Sequence, residues 1–381
     1  MSTEPHAFSE GLQDIIAAES SICLIDGIRS TLSYRGYDIH DLADNAGFEE
    51  TAYLLHYDKF PKRAELDAFN RDLAKERQIS KEMIRFIELF PKTVHPMAAL
   101  RTAVSALSFS DAEAEDKSIE ANRRKAVRLM ARVPSLVAYF ERHRKGLALV
   151  HPNLDPSVST AANFLTMLKG KEATAVEVKM LDKYFILLTE HDLNASTFAA
   201  RISASTMSDI YSAVTSAVGT LKGDLHGSAN TRAMEMIMAI GSVDKIEAYV
   251  DDAIAKKKKF MGFGHRMYKG PDPRARDLKL MAKTLADHNA EQAKWYAISK
   301  KLERVVFEKK KLYCNVDFYS ASVLYTIGIP VDLFTPMFAI SRVAGWTAHI
   351  LEQYTNNRLI RPASLYTGKA NQKYIPIDQR T

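Results

Sequence analysis

The chain has 381 residues, 46% of them hydrophobic and 26% charged, the composition of a soluble globular protein too long for one ordinary core. Its 52 Lys and Arg against 46 Asp and Glu give a net charge of +6, a mild excess that favours anionic ligands. No zinc-finger, RNP-type or helix-turn-helix pattern accompanies the charge, and no run approaches about 18 apolar residues, so neither nucleic-acid binding nor a membrane-spanning helix is expected.

The start, "MSTEPHAFSEGLQDII", carries acids where a signal peptide would carry cations and an apolar run. The two cysteines, Cys23 and Cys314, are too few for a disulfide framework. A reducing, cytoplasmic setting is the expectation. Strand-like alternation occurs only in "SICLIDGIRSTLSYRG", with Gly27 marking a turn. Helical spacing follows in "TAYLLHY" and "AELDAFNRDLAKE". "VHPNLDPS" reads as a turn within a domain. Gly219, Gly223 and Gly227 form a loose zone, and "YCNVDFYS" at 313–320 a second. Between them, 244–255 places Ile246, Tyr249, Val250 and Ile254 on one helical face. The two zones bracket a smaller domain inserted in a larger one, a natural hinge pair. The fold class is mainly α with a small N-terminal β-ribbon.

Polar residues gather at these junctions. In "GDLHG" His226 falls just before a helix marked by Ala229, Ala233, Ile237 and Ile240. The helix dipole disfavours a cation there, so the imidazole should be neutral and able to donate one hydrogen bond. A turn-capping role fits the same spacing. Asp317 in "NVDFYS" precedes a helical run, where an N-cap is the default and a catalytic base the alternative. "GFGHRMYKGPDPR" at 262–274 combines glycines that admit close backbone approach with Arg266, Lys269 and Arg274, which suit phosphate or carboxylate. Pro271 and Pro273 would aim Arg274. The loop is neither a Walker A nor a Rossmann fingerprint. Lys256–Lys259 read as a solvated helix C-terminus. "TEHDLN" lacks the HExxH spacing and no Gly-x-Ser-x-Gly elbow occurs, so neither a metal site nor a serine hydrolase of that type is expected.

Six motifs, in order, carry a resemblance: "EHDLNAST", "GDLHGSAN", "GFGHRMYKGPDPRA", "NVDFYSASV", "FTPMFAISRVAGWTAHILEQ" and "NRLIRP". Together they resemble citrate synthase, over a stretch running from "YRGYDIHDLA" to "LYTGKANQKYIPI". The length resembles the short dimeric form. The resemblance implies a two-domain helical fold, with a large domain of residues 1–220 plus 321–381, a small one of 221–320, and the site in the cleft between them. It implies condensation of acetyl-CoA with oxaloacetate, then hydrolysis of citryl-CoA, with no cofactor and no metal. Asp317 would be the base at the acetyl methyl group. His226 would donate to the thioester oxygen and His265 to the oxaloacetate carbonyl. His191, Arg274 and Arg342 would hold oxaloacetate, with Arg361 reaching in from the second subunit of a homodimer. Lys269 and Arg266 would meet CoA phosphates. 2-Methylcitrate synthase, using propionyl-CoA, and a non-catalytic CoA-binding protein on the same scaffold are the alternatives. Asp224 and Ser228 depart from the proline and glycine of many relatives. The charge of Asp224 would oppose a neutral His226.

Overall fold

The computed structural model describes residues 8–380. Strands β1 (Cys23–Asp26), β2 (Thr31–Tyr34) and β3 (Tyr37–Asp38) form one antiparallel sheet in chain order, with Cys23 opposite Tyr34 and Asp26 opposite Thr31. β2 buries Leu32 and Tyr34 and leaves Thr31 exposed, the alternation expected of a half-buried strand. The turn lies at 27–30. Gly27 is required there by proximity: a Cβ on it would sit 2.1 Å from the carbonyl oxygen of Met267. Its own carbonyl accepts from the Lys269 N–H at 2.9 Å. The ribbon is therefore a backstop for the basic loop at 262–274.

Helices follow: α1 (Ile39–Asn45), α2 (Phe48–Tyr57), α3 (Arg63–Glu76), α4 (Lys81–Glu88), α5 (Pro96–Ala106), α6 (Ile119–Arg144), α7 (Thr160–Lys169), α8 (Ala175–Leu188), α9 (Ala195–Ser205) and α10 (Ile210–Leu221). Next come α11 (Ala229–Ile240), α12 (Ile246–Ala255), α13 (Pro273–His288), α14 (Ala293–Lys310), α15 (Val316–Ile327) and α16 (Phe334–Thr355). Many starts are set locally. Ser118, Ser159, Thr174, Asn194, Asp209 and Asp272 each accept a backbone N–H of the first turn. In α12, Ile246 and Val250 are buried and Tyr249 and Ile254 half-buried, as their spacing requires.

α16 is the axis of the larger body, buried along most of its length and packed on α2, α6, α8, α9 and α10. Gly345 lets the end of α8 close on it, since a Cβ there would meet the Thr189 carbonyl oxygen at 2.2 Å. A second group packs α11, α13 and α14 around α15, with α12 on α14. The boundary expected near 320 falls inside α15. Residues 357–376 carry no helix or strand and are largely exposed. Among the described residues no helix is long and apolar enough to cross a membrane.

One buried acid pair makes a prediction about stability. Glu49 Oε1 accepts the Thr160 N–H at 2.6 Å, and Asp182 Oδ2 accepts the Phe48 N–H at 3.3 Å. Burial, then the negative charge of Glu49, holds the Asp182 carboxyl well above the usual carboxylate range. The folded chain thus keeps a proton that the unfolded chain releases. Stability must fall as pH rises from the ordinary carboxylate pKa through the raised one. Asp182→Asn should flatten that fall, with a melting temperature close to the parent at pH 5 and higher at pH 8. Thermal melts of both proteins at the two pH values check this; an equal loss at both would contradict it.

Candidate active site

Two backbone segments build the centre. Asn315 N–H donates to the Gly262 carbonyl at 2.8 Å, Gly264 N–H to that of Tyr313 at 2.9 Å, and the Asn315 amide to that of Gly264 at 2.8 Å. Phe263 bridges to Cys314 in antiparallel fashion. Gly262 takes φ 80°, and a Cβ on it would lie 2.8 Å from the Phe318 Cα. The glycines thus hold the loop against the start of α15.

Asp317 sits inside the first turn of α15, not before it. The N-cap is Asn315, whose side chain accepts the Asp317 N–H at 3.0 Å. The capping role expected as the default therefore belongs to its neighbour. The Asp317 carboxylate accepts no protein hydrogen bond among the described residues. Burial raises its pKa to about 7, with Asp272 adding to the effect and Arg274 and Arg342 opposing it. That places a carboxylate base near neutral pH.

The two candidate donor histidines have assignable tautomers. His226 Nε2 accepts the Ser196 N–H at 3.3 Å and lies 2.8 Å from the Ser196 hydroxyl. A backbone N–H has a fixed hydrogen, so Nε2 is unprotonated and Nδ1 carries the proton. Ser196 is itself held by Trp346 Nε1–H, 3.1 Å away, and its hydroxyl also lies 2.8 Å from Asn194 Oδ1. His265 Nδ1 accepts N–H groups from Met267 at 3.0 Å and Tyr268 at 3.3 Å, so its Nε2 carries the proton. Both rings are neutral, with pKa values lowered to about 4. Burial is the main cause, then Arg342 for His226 and Arg274 for His265. Neutrality of His226 was expected from the helix dipole; desolvation supplies it instead. Asp224 pairs with Arg232 at 2.8 Å on the exposed side.

His191 is buried, with Nε2 3.2 Å from the Tyr268 hydroxyl and its ring centroid 5.2 Å from that of His265. Burial first, then Arg274, His265 and Arg342, push its pKa well down. Arg274 is buried in the first turn of α13, where Nε and Nη2 donate to the two oxygens of Asp272 at 3.0 and 2.8 Å. Asp272 Oδ2 also accepts the Val316 N–H at 3.0 Å. Pro273 starts the helix, but the carboxylate fork aims the arginine, and the same carboxylate ties α13 to α15. Arg342 is buried in α16, donating from Nε to the Leu188 carbonyl at 2.7 Å and stacking over Phe338 at 4.6 Å. These contacts leave N–H groups on both guanidinia for a ligand.

His191, His226, His265, Arg274, Asp317 and Arg342 thus form one electrostatic neighbourhood. The other three expected residues are exposed. Arg361 is exposed and lines a cleft with Leu12, Ile15, Glu19 and Arg201. Arg266 and Lys269 are exposed on the loop. The lysine run is exposed at the C-terminus of α12, as read, and Lys257, Lys258 and Lys259 also line a cavity of about 470 Å³ with Phe260, Gly262 and Asn315. Ser196, Asp272 and Tyr268 were passed over in the sequence. All three lie within quoted motifs, but nothing local marks the contacts they make.

The comparisons agree with this geometry. The family model described as "Citrate synthase, C-terminal domain" matches residues 11–363. Citrate synthase 2 of Bacillus subtilis is 51% identical, covering 98% of this chain and 99% of its own. A 2-methylcitrate synthase of Shewanella oneidensis is 40% identical, covering 97% of each. The citrate synthase of Thermoplasma acidophilum, solved as a ternary complex with carboxymethyl coenzyme A and oxaloacetate, superposes with a TM-score of 0.92 at 35% identity, over 99% of this chain and 100% of that one. With its motifs, helical architecture and near full-length likeness in accord, the chain belongs to the citrate synthase family.

Proposed function

We propose that this chain condenses acetyl-CoA with oxaloacetate and hydrolyses the resulting citryl-CoA to citrate and CoA. One observation carries the reading: an unbonded Asp317 carboxylate shares its surroundings with two neutral imidazoles whose free N–H groups are defined. Asp317 takes a proton from the acetyl methyl group. His226 Nδ1–H donates to the thioester oxygen as the enol forms. The methylene carbon then attacks the ketone carbon of oxaloacetate, and His265 Nε2–H donates to the oxygen that gains charge. Water cleaves the thioester of citryl-CoA and releases the thiol. A preorganised donor at a developing oxyanion contributes about 3–4 kcal/mol, and neutral imidazoles give it without a competing charge. Arg274, Arg342 and His191 orient oxaloacetate.

The lysine-lined cavity beside Asn315 suits the phosphates of CoA, with Arg266 and Lys269 as further contacts on the loop. Closure of the glycine-bearing loop and of the smaller helical group over the site would exclude water. A homodimer would bring Arg361 of each chain to the other's site; its exposure, in a cleft that none of the clustered residues lines, supports that arrangement. Two unpaired cysteines suit the cytoplasm.

Thiol release tests the reaction and the acyl choice together. Release from acetyl-CoA should require oxaloacetate and yield citrate. Acetyl-CoA should exceed propionyl-CoA in kcat/KM, by a factor within the range that one methylene provides, about 1–3 kcal/mol. The reverse order would make the protein a 2-methylcitrate synthase on the same residues, and no oxaloacetate-dependent release would leave a CoA-binding protein.

A further inference from the structure

Glu190, directly before His191, is a fully buried acid. Its Oε1 accepts two N–H groups, that of the His191 backbone at 2.7 Å and Nε2–H of His349 at 3.1 Å. Arg201 fixes the second donor. Its Nη1, which can only donate, lies 3.0 Å from His349 Nδ1, so Nδ1 is the acceptor and the imidazole is neutral. The charge of Arg201 is itself paired with Glu352, 2.6 Å away. The other oxygen of Glu190, Oε2, is buried and has no hydrogen-bond partner among the described residues. A proton there would have no acceptor, whereas two donors on Oε1 favour the anion. Glu190 is therefore a buried carboxylate that no cation touches among the described residues.

That charge lies beside Arg342. Gly345 and His349 follow Arg342 by one and two turns on one face of α16. Oε2 lies over Gly345, where a Cβ would sit 2.4 Å from it. Arg342 in turn bonds the carbonyl of Leu188, close before Glu190 in the chain. Burial lowers the pKa of Arg342, and the charge of Glu190 is the main influence opposing it. Each buried arginine of the site thus comes with a carboxylate, Asp272 for Arg274 and Glu190 for Arg342. The two pairs differ in kind. Asp272 forks its arginine and aims it. Glu190 makes no hydrogen bond to Arg342 and acts on it through space. A ligand carboxylate arriving at Arg342 meets this negative charge in a dry interior, where screening is weak.

We propose that Glu190 is a positioning residue that acts as an electrostatic counterweight: through Arg342 it limits how tightly the pocket holds the dicarboxylate substrate and the tricarboxylate product. The inference rests on the reading of Arg342 as an oxaloacetate ligand. Glu190→Gln tests it, because the amide oxygen keeps both accepted N–H bonds while the charge is removed. Calorimetry should show oxaloacetate bound at least about tenfold more tightly than by the parent, the scale of one unit charge removed a few ångströms away inside a protein. KM for oxaloacetate should fall with it, while KM for acetyl-CoA stays within about twofold. Glu190→Asp keeps the charge and should bind oxaloacetate within about threefold of the parent. Glu190→Met, neutral and of similar length, gives the same reading should the amide not fold. A merely structural Glu190 predicts the opposite, weaker or unchanged binding once the charge is gone. Unchanged or weaker oxaloacetate binding in a folded neutral variant, or equal tightening in Glu190→Asp, would overturn the counterweight and leave the condensation reading in place. A parent that binds no oxaloacetate would overturn both.

Discussion

Asp317→Asn should lose most turnover and gain stability. The amide cannot accept the methyl proton, so kcat should fall by about 10²–10⁴, the usual contribution of a positioned base, while oxaloacetate affinity stays within a few-fold. The stability gain follows from the raised pKa of about 7. Between the ordinary aspartate pKa and 7 the folded chain binds a proton that the unfolded chain has lost. Ionising Asp317 therefore costs stability as pH rises through that window, and the neutral amide removes the cost. At pH 8 the gain should be on the order of 1–3 kcal/mol, several degrees in melting temperature, and at pH 4 it should vanish. Near-normal turnover in a folded Asp317→Asn protein would remove this residue as the base.

The second large effect is recovery of activity by mixing chains. Asp317→Ala and Arg361→Ala homodimers should each be nearly inactive. Refolded together in equal amounts, about half the dimers are mixed. In these, the site on the Arg361→Ala chain keeps its own Asp317 and receives Arg361 from the other chain, while the second site lacks both groups. Roughly a quarter of the parent activity should return. If Arg361 served its own chain, every site would carry one defect and mixing would restore nothing. The exposed position of Arg361 beside Leu12 and Glu19 is the structural reason to expect recovery.

Much of the fold was legible because its signals are local. Apolar spacing gave helices such as α2, α3, α11 and α12, and alternation gave β2. His226 and Asp317 were found as polar residues at breaks in that periodicity, but their roles, and His265 itself, came from the resemblance, because spacing cannot show which of them meet. Non-local contacts stayed hidden. Gly27 reads as a turn residue, yet what requires its small size is Met267, far along the chain. Ser196 sits among small helix-forming residues, and its hold on His226 exists only once α9 and the 223–227 loop are packed together. The lysine run is exposed at the end of α12, as read, but its place along the cavity beside Asn315, after the turn at Lys257 with φ 53°, is a non-local fact. The neutral state of His226 was foreseen, but burial, which no local pattern reports, is its main source.

The central claim is a carboxylate base working between two neutral imidazoles, and the acidic limb of the pH–rate profile tests it most directly. With oxaloacetate saturating, kcat/KM for acetyl-CoA should rise with pH through one ionisation at or above about 7. Among the clustered site residues Asp317 begins there, and the negative charges of bound oxaloacetate can only raise it. His226 and His265, at about 4, are neutral throughout that range. His226→Asn should lower the whole profile without moving the limb. A limb below about pH 5, or one that disappears with His226, would contradict the assignment and make a histidine the titrating group.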